Sequence, residues 1–119
     1  MVANLAAVLP IMVTMHIEEV DERDSTWEQH DSTFRVYFAQ GPERSITTFD
    51  VSGATFSEVR DWTRNQAPDD TIIAIALVGL DSRGLKGLTW LLGMDPNDHP
   101  ESEIEVRMLA EMEPGSPSS

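Results

Sequence analysis

The residues of this chain best suited to chemistry are two small groups of histidine and carboxylate. His30 and Asp31 stand side by side, the minimum for a general base with an orienting partner. Asp95, Asp98 and His99 fall within one short loop sequence, DPNDH, where they could offer two carboxylates and an imidazole to a ligand or a metal ion. If the fold set the start of the first strand beside the end of the last, these five residues would form one mixed cluster.

Stricter signatures fail. GLDSRGLK, from Gly79 to Lys86, approaches the phosphate-binding loop pattern, but one residue separates Gly84 from Lys86 and no Ser or Thr follows to hold magnesium. The loop at Asp95 is no EF-hand, because Pro100 stands where glycine must turn the chain and Val106 where a bidentate glutamate belongs. His16, His30 and His99 match no two-ligand zinc spacing, and no serine sits in a nucleophile elbow. With no cysteine, thiolate chemistry and disulfides are excluded outright, and a cytoplasmic location is expected. Asp69 and Asp70 are adjacent and point apart as turn residues. No cofactor is implied, and an enzyme is the less favoured reading.

The charge pattern is more specific. Net charge is −13, and nearly all of it lies in two flanks. Residues 18–31 hold seven acids against Arg23, and residues 95–113 hold seven against Arg107. The stretch between them is close to neutral. Such a field repels nucleic acid and anionic lipid, keeps a protein soluble and steers basic partners towards it. The expected function is therefore a small non-enzymatic binding protein (an adaptor, inhibitor or immunity-type module) docking a basic protein. Its surface would be Glu18, Glu19, Asp21, Glu22 and Asp24, with Trp27 as the apolar anchor. The alternative is a small-molecule- or metal-binding protein, or a minor enzyme, built on His30, Asp31, Asp95, Asp98 and His99. A homodimer stays open.

These residues need a scaffold, and 119 residues are enough for one core that buries roughly two thirds of the chain's surface. One α+β domain is expected over residues 1–113, with a disordered tail at 114–119 whose sequence, PGSPSS, has little to bury. Phe34, Val36 and Phe38 alternate in a strand from Thr33 to Gln40. After the turn at Gly41 and Pro42, Ser45 to Val51 returns as its hairpin partner, with Thr47, Phe49 and Val51 on one face. Thr55-Phe56-Ser57-Glu58 is a capping box that starts a helix. Its stripe is Phe56, Val59 and Trp62, which leaves Glu58, Asp61 and Arg64 for the outer surface.

Thr71 to Leu80 has no polar face and reads as a central strand covered on both sides, with Ala74 and Ala76 as the seat for Phe56 and Trp62. Leu85 to Gly93 is its antiparallel partner, with Leu88, Trp90 and Leu92 on one face. The order ββαββ implies a four-stranded, mostly antiparallel sheet with the helix on one face and the N-terminal segment covering the other. Phe34, Phe38, Phe49, Phe56, Trp62 and Trp90 all fall on inward faces. Residues 2–22 fit a helix or a strand, with helix preferred, and residues 102–112 pose the same choice with the same preference. Arg23 is the first cation, so the apolar run from Val2 to Val13 lacks the charged start of a signal peptide, and it is too short to span a bilayer.

Overall fold

A computed structural model describes residues 15–25 and 31–114. Strands β1 (Thr33–Gln40) and β2 (Ser45–Ser52) form the first hairpin, in register from Thr33 opposite Ser52 to Gln40 opposite Ser45. Helix α1 (Phe56–Gln66) begins at the capping box. Glu58 N donates to Thr55 Oγ1 at 3.1 Å while Thr55 N donates to Glu58 Oε1 at 2.9 Å, so two amides at the helix start find partners. The helix carries the chain over the sheet to β3 (Thr71–Leu80), which lies on the other side of β1 and pairs with β4 (Lys86–Leu92) beyond it. The sheet is antiparallel throughout, in the order β2-β1-β3-β4.

The helix covers the face of Phe34, Val36, Phe38, Ile73, Ile75 and Leu92, on which Val59 is buried and Phe56 lies 6.1 Å from the Phe34 ring. Ala74 and Ala76 point the opposite way. Both faces of β3 are apolar, so its sequence could not tell which one meets the helix; the pairing of Val36 with Ile75 decides it.

The opposite face is covered from the C-terminal side. Residues 102–112 form a helix, α2 (Glu103–Ala110), whose N-cap hydroxyl on Ser102 accepts from Glu105 N at 3.2 Å. Met108 and Leu109 pack there against Ala39, Ile72, Ala74, Met94 and Met112. Because β4 stops at Leu92, opposite Ile75, the amide of Ile73 has no β4 partner; it donates instead to the carbonyl of Met112 at 3.1 Å. Of the N-terminal segment, Met15 to Ser25 is exposed and carries one short 3-10 turn at Glu22–Asp24. The helix preferred over residues 2–22 is therefore not formed from residue 15 onward; its earlier part, and all of the expected 114–119 tail but Pro114, lie outside the described residues.

A β-bulge changes the second hairpin. The register steps from Ala76 opposite Trp90 to Ile75 opposite Leu92, so Leu91 is the extra residue. Leu88 and Trp90 therefore join the α2 face, where the Trp90 ring lies 5.1 Å from Tyr37, while Leu92 joins the α1 face. A strict alternation would have placed all three together. On the α2 face Arg35 forms a two-point pair with Asp50 across the hairpin, at 2.7 and 3.0 Å. No helix among the described residues is long and apolar enough to cross a membrane.

Candidate functional site

Phe38, Phe49 and Trp62 meet at the α1 face of the first hairpin. Their centroids are 5.9 to 6.1 Å apart and each pair of rings is tilted by 70° or more, the edge-to-face arrangement that aromatic quadrupoles favour. Phe38 is buried and holds the other two in place. Phe49 and Trp62 stay 45% and 39% exposed, although strand alternation and the helical stripe had respectively marked them as core. The reason is strand order: β2 is an edge, so Phe49 has a neighbouring strand on one side only, and Trp62 leans out over it. A cavity of about 220 Å³ opens beside them, with Gln40, Thr47, Gln66 and Pro68 completing its wall. One sequence signal was available. Phe49 is the lone aromatic in SITTFDVS, a strand otherwise rich in Ser and Thr, as suits an outer strand.

No carboxylate lines this groove, but several stand close to its lining residues in sequence. Asp61 adjoins Trp62 in sequence, Asp69 and Asp70 follow Pro68, and Glu43 lies in the turn at the same end of the hairpin; all four are exposed. The amide of Gly41 in that turn donates to the carbonyl of Asp70 at 2.9 Å, so the two loops are tied together.

The N-terminal acids Glu18, Glu19, Asp21, Glu22 and Asp24 are all exposed. Asp21 caps the short turn through Arg23 N at 2.9 Å and pairs with the Arg23 guanidinium at 3.1 Å, which holds its carboxyl below the usual range. Glu18 lies 3.7 Å from His16. Trp27 and His30 lie outside the described residues.

The sheet register does not bring Asp31 to Asp95, Asp98 and His99. Asp31 precedes β1, at the end of the sheet marked by Val78 and Lys86, and lines a shallow pocket with Ser32, Thr55 and Glu58. Asp95 follows β4 at the other end, beside Met94 and Ile72. Roughly 20 Å of sheet separates the two, at about 3.3 Å per residue. Asp95 accepts from Asn97 N and Nδ2 at 2.9 and 3.1 Å in an Asx turn, and Asp98 and His99 are exposed beside it. Among the described residues no three His, Asp or Glu are arranged to hold a metal ion.

Arg64 departs from its expected place on the outer surface. Arg23, Arg35 and Arg83 each turn the Nε–Nη2 edge of the guanidinium to an aspartate. The same edge of Arg64 is buried with no hydrogen-bond partner, as is Nε of Arg60 one helical turn earlier. Burial, and then the charge of Arg60, pull the Arg64 guanidinium below its ordinary pKa, with Glu111 acting the other way. Guanidinium N–H groups buried without an acceptor cost more than their packing returns. Arg64→Met is therefore expected to hold or raise stability, by about 1 kcal/mol, as read from the urea midpoint. A loss of that size would show that Arg64 is ion-paired in solution.

No protein-family model matches the chain, nor does any curated protein or solved structure.

Proposed function

We propose that this chain is a small, non-enzymatic binding protein that docks a basic protein partner. The observation that supports this most is the pair of exposed aromatics, Phe49 of β2 and Trp62 of α1, both packed on buried Phe38, in a chain of net charge −13. Interfaces draw their affinity from a few such anchors, while surrounding charge sets the encounter rate and rejects partners of the wrong sign. The exposed acids from Glu18 to Asp24 add to that field. A cytoplasmic setting belongs to the proposal and is supported by the absence of cysteine.

The test is affinity capture with the intact chain at low and high salt, compared with a variant in which Glu18, Glu19, Asp21, Glu22 and Asp24 become Gln or Asn. A basic interactor should be retained at low salt, released at high salt and weakened by the neutralised variant, whose sheet and helices should persist because these side chains are exposed and Asp21→Asn keeps an acceptor for the turn. Capture that ignores both salt and neutralisation would remove the electrostatic basis of the reading.

A further inference from the structure

The two edges of the sheet are built differently. β4 carries features that discourage a further strand: the bulge at Leu91, Lys86 at its start and Gly87 beside it. β2 carries none of them. Over eight residues, Ser45 to Ser52, it pairs with β1 without a register shift, and it contains no proline, no lysine and no glycine. Among the described residues nothing pairs with its outer side. Its one charged side chain, Asp50, is held by Arg35 of β1, so a regular edge of this length still exposes backbone donors and acceptors that invite another strand.

What lies beside that edge names the guest. Thr47, Phe49 and Val51 point to the α1 face, so a strand added along β2 would set every second side chain beside Phe49 and the groove under Trp62. The cavity of about 220 Å³ is of the size of one large apolar side chain and is walled by aromatics and the side chains of Gln40, Thr47 and Gln66. Glu43, Asp61, Asp69 and Asp70 are exposed and lie near its lining residues in sequence, with Asp61 paired to Arg60 at 3.5 Å, and the chain as a whole carries −13. A cationic side chain flanking the apolar one would meet that negative field and the face of Trp62.

We propose that β2 is a docking edge for an extended basic segment of a partner protein, which adds as a fifth strand and seats one apolar side chain in the Phe38–Phe49–Trp62 groove. This rests on the reading of the chain as a binder of basic proteins and specifies where and how the partner is held. Main-chain hydrogen bonds to β2 would give affinity with little demand on sequence, and the groove would give selection.

The probe is a panel of eight-residue peptides in which Lys alternates with Val, Leu, Phe or Tyr, titrated into the full chain while backbone amide shifts are followed by NMR. At least one member should bind saturably, with shifts centred on Ser45 to Ser52 and on Trp62. Methylating alternate backbone nitrogens of that peptide on its pairing edge should weaken it at least tenfold, and replacing its Lys by Glu should do the same. Trp62→Ala should weaken it by a similar factor; should that variant fail to fold, the methylated peptide still decides the matter. Failure of the whole panel, shifts elsewhere, or equal binding of the methylated peptide would overturn the edge. If the capture experiment still yields a salt-sensitive basic partner, the broader reading survives that failure; if capture also fails, both fall.

Discussion

Ile75→Asp is expected to abolish the cooperative unfolding transition. Ile75 is wholly buried at the centre of β3, between Val36 of β1 and Leu92 of β4, and packs in the cluster that includes Val59 of α1. The side chains named in that cluster are apolar and offer a carboxylate no hydrogen bond. The carboxyl would have to fold in its neutral form, and protonating a group whose ordinary pKa lies about 3 units below neutral pH costs about 4 kcal/mol there. Losing the apolar side chain adds about 2–3 kcal/mol. Together these reach into the range of the whole stability of a domain this size, on the order of 5–15 kcal/mol. Circular dichroism with a urea titration is the measurement, and Ile75→Val, at about 1 kcal/mol, is the control. A soluble Ile75→Asp protein with a sharp transition would mean that β3 is not the centre of the fold.

The second large effect is expected at Gly93, where the chain leaves β4. Its φ of +79° lies in the left-handed region, which costs a residue with a Cβ about 1–2 kcal/mol. A Cβ there would also drive into Cγ of Met112, with Sδ at 3.0 Å and the Ala74 Cβ at 3.4 Å. The Met112 side chain is almost fully buried, so it has no open space into which to retreat. Gly93→Ala should therefore cost about 2–4 kcal/mol, the backbone term plus overpacking. Gly93→Ala combined with Met112→Ala should cost clearly less than the two changes summed, because the smaller side chain makes room for the new methyl. Additivity within about 0.5 kcal/mol would show that the contact is not the source.

Much of the fold could be read locally. Period-two alternation in Thr33 to Gln40, the turn at Gly41 and the capping box at Thr55 are each written within a few residues, and each forms as expected. The order ββαββ followed from them. What could not be read locally was pairing across the chain. Nothing in TIIAIALVGL distinguishes the face that meets α1 from the face that meets Met94 and Met112. The extra residue at Leu91 sits in a run of two leucines, either of which could have been the inward one. Arg64 was placed outside by a stripe of Phe56, Val59 and Trp62, whereas the buried pair Val59 and Thr63 turns the helix so that Arg60 and Arg64 are drawn against the core.

The candidate site shows the same boundary. That Phe49 and Trp62 emerge at the surface depends on β2 being outermost, a property of strand order that neither hairpin contains alone. The histidine and carboxylate set depended on the ends of β1 and β4 coinciding, and the register separates Asp31 from Asp95. The acidic flank from Glu18 to Asp24 was legible because exposure of a dense charge run follows from solvation alone.

The bulge at Leu91 also bears on how the molecule comes apart. Trp90 and Leu92, two positions apart in a strand, would ordinarily serve one layer, but the inserted residue gives one to each. β4 thus acts as a rivet through the sheet, with its head under α2 and its shank in the α1 core. Peeling either helix away would pull on a strand that the other helix still clamps, so the two layers have no natural seam between them.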